Sequence, residues 1–426
     1  MTAPVLESRA AELVAIQAKP AAHPAASPAT PAIPHKPERL TSLDAYRGFI
    51  MLVMASAGFG FPEVARQLKD NPVWQFLGYE FDHVTWIGCS FWDLIQPSFM
   101  FMVGVAMPYS FASRQAKGHG AWRNAGHVLW RSFALVALAV FLTSNRAPQT
   151  RFLFTNVLAQ IGLGYAIVYL FLGRSVRIQM AAIGVILFLY WLAFALYRVP
   201  GPEFDYEAVG VTNAAERLTG FFAHWTKNTN VAAAFDSWFL NLFPPHSFTF
   251  DSGGYQTLNF VPSIATMLFG LMAGELLRSD RSARMKLRWL LAGGATCLIL
   301  GFVLNLTVCP SVKRIWTPSW AIFSTGWTFY MLAGFYWIID LEGYKRWAFP
   351  LVVVGMNSIA MYCMSQLMKP WIRQTLQTHY ATLQDVFGLP AIFEGVYGPI
   401  WLFSATLAVL WLICLWLYRR KIFIRI

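Results

Sequence analysis

The chain has 426 residues, of which 57% are hydrophobic, 16% aromatic and only 13% charged, with a formal net charge of +12. Soluble domains carry roughly 25% charged residues, so this composition excludes a soluble globular protein and indicates an integral membrane protein. The positive charge is explained by basic residues at one membrane face and their attraction to anionic lipid. It gives no reason to predict nucleic-acid binding.

Residues 1–38 differ in kind from the rest, because they are rich in Ala and Pro and hold only a short apolar patch. They lack the continuous apolar core that a secretory signal needs. We therefore expect a disordered cytoplasmic tail, followed by one transmembrane domain over residues 39–426.

Ten apolar stretches follow the tail, each long enough to cross a hydrocarbon core of about 30 Å. No series of short alternating segments appears, as a barrel would require, so the predicted fold is an all-α bundle of about ten transmembrane helices. The stretches lie near residues 46–62, 89–111, 128–145, 152–172, 179–198, 257–277, 289–309, 320–340, 349–368 and 399–418.

The distribution of Lys and Arg predicts the orientation, because these residues concentrate on the side that is not translocated. With both termini cytoplasmic, about two thirds of the 33 Lys and Arg residues fall on the cytoplasmic side. His83 and the long loop at 200–256 then lie on the outer face. Within this loop an amphipathic piece at 231–243 is predicted to lie on the membrane or to fold over a site as a cover.

His83 is the candidate reactive group, because imidazole exchanges protons near neutral pH and can carry an acyl group. The neighbouring Asp82, or Asp93 ten residues later, could hold one ring nitrogen and set the tautomer. Asp93 falls in an apolar run, where a carboxylate costs on the order of 3 kcal/mol and needs a partner. The alternatives are an interfacial histidine bonded only to backbone and a helix-capping aspartate.

Cysteines and metal motifs are less informative. The five cysteines lie mostly in apolar spans, where Cys behaves as a small hydrophobe, although Cys89 and Cys309 could pair at the outer face. No metal-binding spacing occurs, so no metal is predicted. Several polar residues within spans are either interhelical contacts or a polar path through the bundle: Asn156, Gln160, Asn259, Glu275, Asn305, Asn357, Ser358 and Gln366.

An ordered series of short segments between residues 40 and 370 resembles the heparan-alpha-glucosaminide N-acetyltransferase family of transmembrane acetyltransferases and its bacterial relatives. The matching segments are residues 42–48 (SLDAYRG), 83–88 (HVTWIG), 92–97 (WDLIQP), 156–162 (NVLAQIG), 250–254 (FDSGG), 270–274 (GLMAG), 313–317 (KRIWT) and 355–359 (GMNSI). Three places depart from the family pattern: Gly58 stands where an asparagine is expected, Ala159-Gln160 where a Gln-Arg pair is expected, and Val312-Lys313-Arg314 where an Asn-Lys pair is expected.

The resemblance implies a helical bundle that takes acetyl-CoA from the cytoplasm and acetylates an amino sugar on the far side, with His83 at the catalytic centre. Asp93 and Asp82 would be its supporting carboxylates. The residues implied near the acetyl-CoA channel are Asp44, Arg47, Asn259, Trp316 and Asn357. The resemblance leaves open whether His83 carries the acetyl group or acts as a base in direct transfer.

We therefore expect a multi-pass acetyltransferase of the bacterial cytoplasmic membrane, acting on an amino sugar or envelope glycan in contact with lipid. Whether it forms a homodimer is left open. One alternative is a proton-coupled transporter of a sugar or lipid precursor, with Asp93, Glu275 and Lys369 as a relay. The other is a membrane relative that keeps the fold without the chemistry, which is consistent with Gly58 and Ala159.

Overall fold

The computed structural model describes residues 40–243 and 247–424. The predicted tail at 1–38 lies outside the described residues. The described chain is helical, and its one β-bridge pairs Ile87 with Val312. Fifteen α-helices are described: α1 Thr41–Ser56, α2 Phe61–Gln67, α3 Pro72–Glu80, α4 Ile95–Gln115, α5 Ala121–Thr143, α6 Val157–Tyr169, α7 Val176–Leu196, α8 Val231–Phe239, α9 Phe260–Arg278, α10 Ala283–Thr307, α11 Pro318–Phe335, α12 Phe349–Gly355, α13 Ser358–Leu367, α14 Lys369–Phe387 and α15 Gly398–Arg419.

The prediction of an all-α polytopic membrane bundle is confirmed, but the number of spans needs correction. Among the described residues, eight helices are long and apolar enough to cross a membrane, or nine if one bent pair counts as a span. The predicted fourth span shrinks to α6, which has 13 residues and begins at its cap Asn156. The predicted ninth span is broken into α12 and α13, which meet at 67°.

The break in the ninth span has a polar cause. Asn357 lies between the two helices, donating from its side chain to Ile422 O at 3.0 Å and accepting the Ile424 backbone N–H at 3.1 Å. A side-chain amide that makes these two bonds to another segment holds the chain in a bend at Asn357 and so prevents one straight helix. These contacts attach the bend to the chain's last described residues, at the end of the bundle where α1 begins.

Close backbone packing holds the core helices together. Gly48 on α1 faces Leu351 and Gly355 on α12, and a Cβ at either glycine would clash with the opposing backbone. Gly104 on α4 and Gly270 on α9 meet in the same way. Small residues at these crossings let the backbones approach, which is how helices associate in lipid.

Helix α1 defines two ends of the bundle. It has 16 residues and therefore spans about 24 Å, with Asp44 in its first turn and Gly58 just past its end. We call these the Asp44 end and the His83 end. Gly58 has φ 69° and contacts the backbone of Phe81, so the turn after α1 fixes the start of the His83 segment.

The loop at 200–256 is folded at the His83 end. Lys227 and Glu216 form an ion pair of 2.7 Å with both side chains nearly buried, and Trp86 donates from Nε1 to Trp225 O at 3.0 Å. Helix α8 turns back onto the bundle, because Asp236 accepts the Thr257 backbone N–H at 2.9 Å. The predicted amphipathic piece at 231–243 is thus helix α8 and the short turn after it, attached to the start of α9 through Asp236.

Candidate active site

His83 and Asp93 face each other at the His83 end of the bundle. His83 follows the hairpin of α2 and α3 in an extended segment, whereas Asp93 lies in a short helical turn just before α4. The His83 Nδ1 atom is 2.7 Å from Asp93 Oδ1. The histidine side chain is 36% exposed and the aspartate 1%, so a buried carboxylate supports an accessible ring.

Lys313 completes this group from a segment 220 residues further along the chain. Its Nζ atom lies 3.1 Å from Asp93 Oδ1 and 3.1 Å from His83 Nδ1. The lysine is itself buried. A buried carboxylate needs a compensating charge or hydrogen bonds, and Lys313 supplies the charge.

The second carboxylate oxygen of Asp93 is occupied as well. Asp93 Oδ2 accepts the Ser90 hydroxyl at 3.1 Å and the backbone N–H groups of Val84 and Ser90 at 3.3 and 3.4 Å. The Ser90 hydroxyl also lies 2.7 Å from Asp82 O. These contacts hold the carboxylate in one orientation below the ring.

The hydrogen bonds assign the histidine tautomer. Asp93 accepts and Lys313 donates, so both His83 Nδ1 and Lys313 Nζ direct protons at the same oxygen. The 3.1 Å between the two nitrogens is then a contact of two donors around a shared acceptor. With Nδ1 protonated, the neutral ring presents Nε2 as its free base, away from the carboxylate.

Asp82 has a different position from the one considered for it. Its carboxylate accepts the backbone N–H of His83 at 2.8 Å and pairs with Arg66 at 3.2 Å. The Asp82 and Arg66 side chains are 50% and 66% exposed, so this surface pair contributes little to stability. Asp82 orients the backbone of the loop, and Asp93 holds the ring.

Aromatic rings flank the histidine. The centroids of Trp92 and Tyr255 lie 6.4 and 6.5 Å from the His83 ring, both at steep angles. Arg314 donates to Gly253 O at 2.7 Å and to Val84 O at 3.3 Å. It therefore links the His83 segment to the folded loop.

The segment after α10 forms the floor of the site. Besides the Ile87–Val312 bridge, Gly88 donates its N–H to Ser311 O at 3.1 Å. Asn259 donates to Arg314 O at 2.7 Å. Trp316 is fully buried, has φ 44° and lies 3.4 Å from Thr266 Oγ1. A non-glycine residue at positive φ is strained, and such strain is common beside functional sites.

The remaining residues of the expected channel lie at the Asp44 end. Arg47 pairs with Asp44 at 3.7 Å, and Asn357 binds the last described residues of the chain. The structure thus places Trp316 in the segment that carries Lys313, and Asn259 against that segment. It places Asp44, Arg47 and Asn357 at the opposite end of α1.

The polar residues within the helices have separate local partners. Asn156 donates to Thr143 Oγ1 at 3.0 Å, and Gln96 donates to Gln160 Oε1 at 2.9 Å. Glu275 accepts from Gly173 N and from the Gln179 amide at 2.8 and 2.9 Å. Asp93, Glu275 and Lys369 therefore do not form one relay in the described structure.

The cysteines and the potential metal ligands form neither a disulfide nor a metal site among the described residues. Cys89 and Cys309 are free thiols, and burial raises the pKa of both. Over residues 40–243 and 247–424, no three His, Cys, Asp or Glu side chains are grouped as a metal site would require.

Sequence reasoning missed the role of Lys313. The residue lay in a matching segment and was noted only as part of a departure from the family pattern. The signal in the sequence was weak, because Lys313 lies among other polar residues, Ser311, Arg314 and Thr317, in a short loop between two apolar spans. Asp93 was already expected to need a partner.

Fold and site together define a polytopic membrane protein with a histidine–aspartate–lysine group at one end of its bundle. Residues 39–301 match the family described as heparan-alpha-glucosaminide N-acetyltransferase, catalytic. The chain belongs to this family, and the resemblance is thereby confirmed.

Two curated relatives carry the name heparan-alpha-glucosaminide N-acetyltransferase. The human protein is 24% identical over 450 aligned residues, covering 94% of this chain and 62% of the relative. The mouse protein is 24% identical over 372, covering 76% of this chain and 53% of the relative. The chain thus spans less than two thirds of the length of either relative.

Proposed function

We propose that the chain transfers an acetyl group from acetyl-CoA to the amino group of an amino sugar or of an envelope glycan. The observation that carries the proposal is the His83–Asp93 contact of 2.7 Å, with Lys313 on the same carboxylate oxygen. Family membership supports it, since both relatives are named for N-acetyl transfer. His83 is the proposed catalytic residue, Asp93 its partner, and Asp82 the residue that positions the loop.

In direct transfer, the amine nitrogen attacks the thioester carbonyl carbon while His83 Nε2 accepts the proton of the amine. A C–N bond forms, the C–S bond breaks, and the CoA sulfur leaves and takes the proton from Nε2. The products are the acetamide and free CoA. The buried Asp93 carboxylate stabilises the imidazolium that forms between these two proton transfers.

In the relay version, His83 Nε2 attacks the thioester carbonyl carbon, the C–S bond breaks and CoA leaves as the thiolate. The amine then attacks the acetyl carbon, the bond from that carbon to Nε2 breaks, and the proton lost by the amine nitrogen converts the thiolate to free CoA. Both versions need the same starting state, a neutral ring with Nδ1–H held by Asp93. Kinetics separate them, because a covalent carrier gives ping-pong behaviour and an acetylated enzyme.

We propose that acetyl-CoA enters from the cytoplasmic Asp44 end and that the acceptor binds at the outer His83 end of a bacterial cytoplasmic membrane. The bias of Lys and Arg supports this orientation. Arg47 would contact a phosphate near Asp44 and Asn357, since guanidinium groups suit phosphate oxygens. Asn259 and Trp316 would border the acetyl end of the donor.

Buried polar groups support a donor path between the two ends. Tyr46 on α1 donates to Ser98 Oγ at 3.0 Å. Gln96, which donates to Gln160 on α6, lies on α4 between Asp93 and Ser98 in the sequence. Hydroxyl and amide groups at this depth suit the amides of a pantetheine arm. A donor lying along α4 would bring its thioester to Asp93 and His83.

The two alternatives have less support. A transporter relay would need Glu275 free to exchange a proton, and both of its oxygens are engaged. A noncatalytic relative was suggested by Gly58 and Ala159. Gly58 is explained by its positive φ, whereas nothing in the structure explains Ala159.

The test is acetyl transfer to glucosamine by detergent-purified protein, comparing the wild type with His83→Ala and His224→Ala. His224 is the matched control, because it lies in the folded loop and contacts the Tyr197 carbonyl at 2.8 Å. We expect transfer by the wild type and His224→Ala and none by His83→Ala. Equal transfer by all three proteins, or no binding of acetyl-CoA by any, would overturn the proposal.

A further inference from the structure

An apolar face lies beside the active site on helix α3. Val73, Phe76 and Tyr79 are 62%, 63% and 53% exposed. Their spacing of three residues puts them on one side of the helix. The opposite side packs on α2, where Gly78 contacts Ala65 and Gln75 donates to Ala65 O at 2.8 Å. The face is therefore the outer surface of a short helical hairpin.

The hairpin is polar at its tip and apolar along its shaft. Lys69, Asp70 and Asn71 form the connection between α2 and α3 and are all exposed. Helix α2 completes a candidate membrane span that runs from Thr41 to Gln67. Helix α3 then returns towards the bundle, and Phe81 at its end packs on Gly58. The charged connection between the two helices therefore favours water, and the apolar side of the hairpin favours lipid.

The active site lies just after the C-terminal end of helix α3. Helix α3 has nine residues and is about 13 Å long, and His83 follows it by three residues. His83 is therefore recessed by roughly the length of α3 from the charged tip, towards the membrane.

The apolar face is continuous with the lipid-facing surface of the bundle. The rings of Trp74 on α3 and Tyr397 lie 5.6 Å apart, and Tyr397 directly precedes the candidate span α15. Tyr397 and Trp401 are 49% and 57% exposed. Aromatic residues at the end of a span mark the head-group region of a membrane, which puts α3 at the same level.

We propose that the face formed by Val73, Phe76 and Tyr79 is embedded in the leaflet at the His83 end, so that His83 acts at head-group depth. Given the acetyltransferase function proposed above, the acceptor would be an amino sugar carried on a lipid head group and delivered along the membrane. A soluble amino sugar would be acetylated less efficiently, because it has to leave bulk water and enter this layer.

The lipid contact is tested without any activity measurement. The full chain, with Phe76 replaced by the photoreactive p-benzoylphenylalanine, is irradiated in nanodiscs of defined phospholipid and analysed by mass spectrometry. The control carries the same replacement at Phe204, which is 39% exposed and flanked by the exposed acids Glu203 and Asp205. We expect phospholipid adducts at position 76 and few at 204.

Two outcomes overturn the lipid contact. A yield at position 76 no higher than at 204 would mean that the face meets water. A covalent dimer as the main product would mean that a second copy of the chain covers it.

The acceptor is tested by comparing soluble glucosamine with a glucosaminyl lipid in the same nanodiscs. We expect kcat/KM to be higher for the lipid, and the ratio of lipid to soluble acceptor to fall about tenfold in Val73→Ser/Phe76→Ser, through lost apolar contact. Equal use of both acceptors would overturn the lipid-borne substrate. Failure of the wild type to acetylate either acceptor would instead reject the proposed function, while the photolabelling result would still decide the lipid contact.

Discussion

The Nζ atom of Lys313 lies 3.1 Å from the Nδ1 atom of His83, and the two nitrogens share Asp93 Oδ1 as their acceptor. The arrangement differs from an isolated histidine–carboxylate pair, because the amino group of a buried lysine lies on the same carboxylate oxygen. The carboxylate therefore has a compensating partner besides the ring that it orients. Nε2 is the ring nitrogen left for a proton or an acyl group.

Asp93→Asn should abolish most of the transfer, and it should also lower stability because it leaves the buried Lys313 without its counter-charge. The asparagine side chain can donate to Nδ1, which favours the tautomer with the proton on the wrong nitrogen. By analogy with the same change in a hydrolase triad, we expect kcat to fall about 10³–10⁴-fold. Acetyl transfer measured by mass spectrometry checks this, beside Tm values from intrinsic fluorescence. A loss of less than tenfold would contradict the role of Asp93.

Lys313→Met should destabilise the protein by about 3–5 kcal/mol, because it leaves the Asp93 charge buried without its cation. The double variant Asp93→Asn/Lys313→Met should lose less stability than the two single variants together, and the coupling free energy should be about 1–3 kcal/mol. Unfolding in detergent measures all four proteins of the cycle. Additive losses would mean that the two side chains do not interact.

Asp236 should make stability depend on pH, because burial raises the pKa of its carboxyl to about 7. Between about pH 4 and 7, the folded chain holds a proton that the unfolded chain releases, so stability falls as pH rises through this window. The loss is at most about 4 kcal/mol for a shift of this size.

The matched variants for this prediction are Asp236→Asn and Asp205→Asn. Asp236→Asn should remove the slope and be more stable than the wild type at pH 8. Asp205→Asn should keep the dependence of stability on pH, because Asp205 is exposed and its Oδ1 accepts the Glu207 backbone N–H at 3.0 Å. Unfolding midpoints from pH 4 to 8 decide the question, and identical curves for the wild type and Asp236→Asn would refute it.

Gly58→Ala should destabilise the turn that leads to the site by about 1–2 kcal/mol, which is the cost of a left-handed conformation for a residue with a Cβ. The new Cβ would also lie 2.9 Å from Phe81 O. Gly184→Ala is the control, because that glycine is in helix α7 with open space around it. We expect a lower Tm for the first variant and an unchanged or higher one for the second.

Composition and pattern were enough to predict the helices, because a lipid environment allows few alternatives to a long apolar helix. The break at Asn357 was not predictable, because its cause is a contact with Ile422 and Ile424, residues at the far end of the chain. The length of helix α6 was overestimated, because apolar residues beyond Tyr169 continue the hydropathy signal but are not part of the helix.

The candidate site was predictable in part. A spacing of ten residues let Asp93 be considered as a partner for His83, and the cost of a buried carboxylate showed that Asp93 needed one. The choice between Asp82 and Asp93 depended on the path of the loop, which places Asp82 against Arg66. The contribution of Lys313 depended on tertiary structure, because a separation of 220 residues has no signature in spacing.

The β-bridge between Ile87 and Val312 has a consequence for the evolution of the site. The stretch matched by the family ends at residue 301, yet the strand-like contact and the buried ammonium group both come from the segment that follows. A gene fragment ending at that boundary would encode the imidazole and the carboxylate but not the lysine that shares the carboxylate oxygen. Substitution of Lys313 would remove the cation of the proposed site without changing any residue of the matched stretch, and relatives that lack a cation at this position are the ones in which to test for loss of acetyl transfer.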